Sequence, residues 1–291
     1  MNRRGVALFA AMCLIWGIPY LMIRVAVREL APVTLVFFRT AVGALLLMPV
    51  AALRGELRPL LARWKPLLAY TAVEVAIPWV LLARAETKLS SSLTGLLIAA
   101  VPLVGAAVVT LTGDRERLGP RRWVGLLIGI AGVAALVGLD VGDVDALSMV
   151  EIGLVAVGYA VGPIILSRSM TDLPTFGVVA ASLFLTTLVY LPFALMRWPS
   201  AVPSQHVIES VLGLAVICTA LAFVVFFALI AEVGPVRATV ITYINPAVAA
   251  VLGVTLLSEH LTRGMVIGFA LVLAGCVLAT GRGGAEPVPE P

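Results

Sequence analysis

The chain has 291 residues, 61% of them hydrophobic and 12% charged, with a mean hydropathy of +1.10 and a formal net charge of +4. A water-soluble domain of this length needs far more polar surface, so the solvent is lipid, and the small basic excess is too dispersed to be a nucleic-acid footprint. Cys13, Cys218 and Cys276 lie inside apolar runs, no His/Cys cluster has metal-ligand spacing, and there is no GxxxxGK[ST] sequence, which argues against a disulfide framework, a metal centre and ATP-driven chemistry.

Apolar runs bounded by charge, Pro or Gly predict five spans over 5–23, 32–53, 66–85, 90–112 and 121–139. Five more follow over 148–167, 173–196, 208–230, 237–257 and 264–281. Each is close to the roughly 20 residues that a bilayer requires. The run from Gly5 to Ile23 is too long for a signal-peptide core and has no small-x-small cleavage site, so it reads as an uncleaved first span. The segment 140–147 carries Asp140, Asp143 and Asp145 and separates the two sets of five, and residues 282–291 have the polar Pro/Gly composition of a disordered tail. His206 and His260 fall in expected loops.

The first span brings Trp16 to mid-membrane, with Tyr20 one turn further on; the second contains Arg39 and the third Glu74 and Trp79. A charge inside a span costs roughly 2.5–3.5 kcal/mol on insertion scales, so it faces a protein interior or a watery path. Counting from Pro32 and Lys65 at 1.5 Å per residue leaves Arg39 and Glu74 about 7 Å apart along a core of about 30 Å. Two readings follow: a substrate carboxylate at Arg39 with a proton carried by Glu74, or an ion pair that pins spans two and three. Trp79 and Trp16 could form an aromatic wall for a small amphipathic ligand, or simply pack helices. Tyr159 and, more weakly, Tyr243 are further candidates, and Asn245 could face the substrate or satisfy a carbonyl freed by Pro246. Pro19, Pro78, Pro102, Pro163 and Pro246 interrupt spans one, three, four, six and nine, each removing a backbone hydrogen bond and each a candidate hinge.

The chain is also written twice. Glu116, Leu118, Gly125, Ala131, Gly132 and Gly138 are matched 143 residues later by Glu259, Leu261, Gly268, Ala274, Gly275 and Gly281. Trp16 falls opposite Tyr159 at the same offset, and Pro102 opposite Pro246 at 144. An odd number of spans per copy inserts the second copy upside down, giving an all-α membrane protein of ten helices in two inverted five-helix repeats, 1–139 and 148–281. With the N-terminus in the cytoplasm, thirteen Lys and Arg lie on the cytoplasmic side and six on the other, with Arg39 inside a span. That split obeys the positive-inside rule and puts both termini in the cytoplasm. Trp64, Trp123 and Trp198 fall at span ends, as an aromatic belt requires. Gly125, Gly129 and Gly132 read as close helix packing.

On these residues the chain resembles the drug/metabolite transporter superfamily, in particular its EamA-like ten-span members. The resemblance runs over residues 5–281 and rests on Trp16-Gly17, Phe38-Arg39 and the stretches 76–108, 113–133 and 244–275, in that order and within an inverted repeat. It implies a secondary transporter of the bacterial inner membrane working by alternating access, often an exporter of amino acids or related metabolites. It implies a small-molecule substrate, with the lipid bilayer as the surrounding partner; protons join them if Glu74 is the carrier, and the residues give no sign of a cofactor, a metal, a catalytic residue or a nucleic-acid partner. Two alternatives stand beside it: an exporter of cationic, amphipathic compounds, for which Glu74 is the attracting carboxylate, and a non-transporting scaffold, which would not need Arg39 or Glu74. Asp140-Val-Gly-Asp143 only faintly resembles an intramembrane aspartyl protease motif and has no second aspartate within a span.

Overall fold

A computed structural model describes residues 1–111, 120–138 and 145–280, and among these the regular structure is entirely helical. Among the described residues nine helices are long and apolar enough to span a bilayer: α1 Arg3–Ala26, α2 Pro32–Leu53, α3 Arg58–Ala85, α4 Ser91–Val109, α5 Pro120–Gly138, α6 Ala146–Ser169, α7 Thr175–Met196, α8 Gln205–Val233 and, after one more, α10 Arg263–Thr280. The helix between, α9 Ile241–Leu257, has 17 residues, follows the short helix Pro235–Ala238 and completes the ten. In lipid the backbone must satisfy itself, which only helices or closed barrels achieve. The ends are capped where they meet polar surroundings: Asn2 accepts from Gly5 N–H, Ser90 from Leu93 N–H and Asp145 from Ser148 N–H. The hydrogen bonds from Ser148 hold the exposed Asp145 carboxyl below its usual range. The turn around Glu116, residues 140–144 and the tail 282–291 lie outside the described residues.

Successive helices alternate in direction. The N-terminal end of the bundle gathers Asn2 with Glu232 and Arg63 with Asp172. The opposite end gathers Glu29 with Ser204 and Glu259 with Ser91 and Ser92. Two donors from Ser204, its N–H at 2.7 Å and its hydroxyl at 2.6 Å, hold the exposed Glu29 carboxyl below its usual range.

The inversion is written in the packing of α5 on α10. The Cα of Gly125 lies against Gly275 and Ala279, and that of Gly132 against Gly268 and Val272. Positions ascending along α5 thus meet positions descending along α10, although the two helices are repeat-mates in the same sequence order. A two-fold axis in the membrane plane produces this reciprocity: Gly125 meets the mate of Gly132, and Gly132 meets the mate of Gly125. A Cβ at Gly132 would sit 2.6 Å from Val272 N, so backbone approaches backbone as closely as small residues in membranes permit. The repeat-mates α2 and α7 also run antiparallel, with the Thr187 hydroxyl donating to Thr40 at 3.1 Å and the Thr34 hydroxyl to the Arg197 carbonyl at 3.1 Å. Trp64, Trp123 and Trp198 are exposed near helix ends. The three cysteines are free and buried.

The prolines divide into two groups. Pro19 restarts α1 after a break at Trp16–Ile18, Pro102 follows a break after Ile98 in α4, and Pro78 follows a widened π turn, Thr71–Ala76, in α3. At Pro163 and Pro246 the helix runs through without a break, so neither interrupts its span. A second π segment, Gly213–Leu221 in α8, occupies the repeat-related place without any proline. His206 lies in the first turn of α8 rather than in a loop, because that helix begins three residues before its expected start.

Candidate functional site

Glu74 owes its position to the proline four residues on. Pro78 has no N–H to return to the Glu74 carbonyl, and the helix widens, with Ile77 N–H reaching back five residues to Ala72. π turns of this kind gather at functional sites. The helix facing the bulge, α6, carries glycine at 158 and 162, one turn apart. A Cβ on Gly158 would overlap the Val73 carbonyl, and one on Gly162 would overlap Glu74 Oε2 and lie 2.8 Å from the Glu74 Cβ. Two missing methyl groups therefore make room for the bulge and its carboxylate.

The Glu74 side chain lines a cavity of about 30 Å³, room for about two waters, together with Tyr70, Val75, Trp79, Val179, Leu183 and Phe223. Oε2 is shielded from solvent and has no hydrogen-bond partner. The cavity is otherwise apolar and aromatic, and it lies between α3 of one repeat and α7 and α8 of the other.

Arg39 is 7% exposed on α2. Its Nε donates to Thr219 Oγ1 at 3.0 Å, and its guanidinium lies 3.7 Å from the Trp79 ring centroid, a close cation–π contact. Thr219 belongs to the second π segment and passes its own proton to the Leu214 carbonyl at 2.8 Å. The repeat-mate of Arg39 is Ser182, which accepts from Thr71 of the first π segment at 2.9 Å. Both π segments are thus tied to the opposite repeat, one by a cation and one by a hydroxyl. Arg39 and Glu74 do not pair: the ion pairs among the described residues include neither. The aromatic face and Thr219 have taken the guanidinium instead.

Of the residues singled out in the sequence, the structure brings together Arg39, Glu74 and Trp79. Tyr159 packs beside them in both central clusters, and Tyr20 is buried against α4 at Gly95, within electrostatic reach of Arg39 and Tyr159. Three stand apart. Trp16 packs on Phe226 and Phe223, ring centroids 4.7 and 6.2 Å away, one ring removed from the cavity. Tyr243 meets Thr280 at the N-terminal end of the bundle. Asn245, in the orientation its hydrogen bonds require, donates to the Ile241 carbonyl at 3.0 Å and to the Cys13 carbonyl at 3.1 Å. The Cys13 carbonyl is free because Gly17 N–H bonds Leu14 where α1 breaks. Asn245 therefore satisfies a freed carbonyl, on α1 and not beside Pro246.

Tyr70, Phe223, Thr219 and Gly162 were not singled out from the sequence. The Gly158-x-x-x-Gly162 spacing around Tyr159 was the available signal for the last of these.

The model of the EamA-like transporter family matches residues 3–138 and again 149–281. The uncharacterized inner membrane transporter YedA of Escherichia coli K12 is 30% identical over 94% of this chain and 89% of its own length. An uncharacterized transporter of Archaeoglobus fulgidus is 26% identical over 97% of this chain and 99% of its own length. The uncharacterized transporter YvbV of Bacillus subtilis is 23% identical over 98% and 94%. A crystal structure of a protein 20% identical in sequence superposes with a TM-score of 0.66, covering 96% of this chain and 97% of that one, which is a likeness of fold.

Proposed function

The chain belongs to the EamA-like transporter family, and from that premise we propose that it exports small organic solutes bearing an amino group, amino acids and related metabolites among them, by alternating access. The observation that carries this reading is Glu74 Oε2, buried without a partner in an aromatic cavity between the repeats. A carboxylate in such surroundings is costly unless it holds a proton or meets a cation. The two occupants exclude each other at one oxygen, so a solute ammonium entering from one side releases the proton and a returning proton releases the solute. Exchange of protons for solute follows from that competition alone. Trp79, Tyr70 and Phe223 supply the apolar and aromatic surface that the rest of the solute needs.

A second reading, export of amphipathic cations without a carboxylate, is favoured by Arg39. Its guanidinium is engaged by Trp79 and Thr219 and does not line the cavity, so nothing there answers a substrate carboxylate. The protein is a multi-pass membrane protein, and its place in this reading is the bacterial inner membrane, as in the name of the Escherichia coli relative, with both termini cytoplasmic. Reporter fusions after Gly113 and after Gly142 are expected to report opposite sides of the membrane. The same side for both would break the orientation.

Growth under overexpression tests the solute class. Cells carrying the protein are expected to survive concentrations of particular amino acids or amphipathic cations that stop cells carrying Glu74→Gln. Equal protection by both proteins would remove Glu74 from both readings, and protection by neither across the whole panel would leave a scaffold as the better description.

A further inference from the structure

A second carboxyl is more deeply buried than Glu74. Glu86 caps the last turn of α3 at the end of the bundle opposite the N-terminus, is 0% exposed, and has no hydrogen-bond partner at either Oε1 or Oε2. Its neighbours in the chain, Ala83, Ala85 and Leu89, belong to the large apolar cluster with Ile23 and Leu93. The charged groups that bear on it most, Arg24, Glu259 and Arg39, are otherwise employed, and Lys88, two residues on, is exposed. Arg24 of α1 donates Nη1 to the backbone carbonyl of Glu86, not to its carboxyl. Glu259 receives the N–H groups of Ser91 and Ser92, both at 2.8 Å, and both hydroxyls. Arg84, on the same helix, pairs with Glu151 at 2.8 Å. Arg39 holds Thr219 and Trp79 on the far side, and Tyr20 and Tyr159 are the remaining titratable groups within electrostatic reach.

We propose that Glu86 is a proton-binding site separate from the solute site at Glu74, with Arg24 as the cation that takes up its charge when the proton leaves. An ionised carboxylate fully buried with both oxygens unpartnered is the arrangement that folded proteins avoid, and a protonated one is tolerated. Arg24 lies close enough to bond the backbone of the same residue. Loss of the proton therefore draws the guanidinium from the carbonyl to the carboxylate and alters the tie between α1 and the end of α3. The site needs nothing of the solute and stands whichever class the cavity accepts.

The test uses the full chain in detergent micelles, with Glu74→Gln as the background so that the cavity carboxyl is silent. Infrared spectra at neutral pH are expected to contain a protonated-carboxyl band that Glu86→Gln removes. The neutral form is favoured by the fold, so stability is present at low pH and lost as pH rises through the ionisation of Glu86. The background protein should therefore melt lower on the alkaline side, and both Glu86→Gln and Glu86→Leu should lose that fall and melt at or above it there. Arg24→Gln should move the midpoint of the fall to higher pH, since the ionised form loses its cation. The proposal is overturned if the neutral-pH band survives Glu86→Gln, or if Glu86→Leu melts below the background at alkaline pH. Either result would mean that Glu86 is not the proton holder. A midpoint unmoved by Arg24→Gln would remove Arg24 from the site.

Discussion

Glu74→Gln is expected to abolish solute export while leaving yield and melting temperature unchanged. The two halves of that result have separate causes. Oε2 has no hydrogen bond to lose, and the guanidinium nearest in the sequence reading, Arg39, is held by Trp79 and Thr219. A neutral amide of the same shape thus strands no buried charge, and the fold has no reason to weaken. The solute, by contrast, loses the anion that meets its ammonium in an apolar cavity. Removing one partner of a desolvated ion pair costs about 3–5 kcal/mol, or roughly 10²–10⁴-fold in affinity. If Glu74 also carries the exchanging proton, uptake driven by a pH gradient into vesicles should vanish, and whatever exchange of solute for solute is left at raised solute concentration should no longer depend on pH. A Glu74→Gln protein with unaltered uptake under a pH gradient would remove Glu74 from the mechanism. A drop of several degrees in melting temperature would restore the ion-pair reading that the geometry disfavours.

The sequence carried the architecture because lipid leaves a chain few choices. Ten apolar runs, an odd number per copy and a fixed 143-residue offset determine an inverted pair of five-helix repeats, and the glycines that reveal the offset, Gly125, Gly132, Gly268 and Gly275, are the ones that pack across the two-fold axis. Arg39, Glu74 and Trp79 could be singled out as neighbours because charge and aromatic rings are rare at mid-membrane. What the sequence could not supply was the direction in which each side chain points. The π turns rotate every residue beyond them, and the one in α8 has no proline to announce it. Hence Thr219 went unnoticed as the partner of Arg39, and the guanidinium was assigned to a carboxylate when an indole face was nearer. Glu86 escaped for a different reason. It follows Arg84 and precedes Lys88 in what reads as a solvated turn, yet the turn folds inward over the apolar cluster and buries it completely. Proline was likewise an unreliable marker of a break, since Pro163 sits inside an unbroken α6 immediately after the glycine that houses Glu74.

That glycine yields the sharpest structural prediction. Gly162→Ala adds a single methyl group, and in most helices such a change is neutral or stabilising by up to about 1 kcal/mol. At Gly153 of the same helix, where an added Cβ meets nothing within 4 Å, the ordinary gain is expected. At Gly162 the methyl group would occupy the place of the Glu74 carboxylate, with the Cβ and Cδ of that residue both 2.8 Å away. Either α6 withdraws from the π bulge or the Glu74 side chain is driven from its position. Overpacking of this kind costs about 1–3 kcal/mol, and the displaced carboxylate can no longer receive a cation in the cavity. Gly162→Ala should therefore lower the melting temperature and eliminate export, while Gly153→Ala does neither. Combining Gly162→Ala with Glu74→Ala removes the carboxylate from the clash and leaves only the 2.8 Å approach to the residue-74 Cβ, so it should recover part of the melting temperature, but export should stay absent because the carboxylate is gone. If the double variant stayed as unstable as the single one, the methyl group would be clashing with something other than Glu74. If Gly162→Ala exported normally, the carboxylate would have no need of the position that the two glycines of α6 reserve for it.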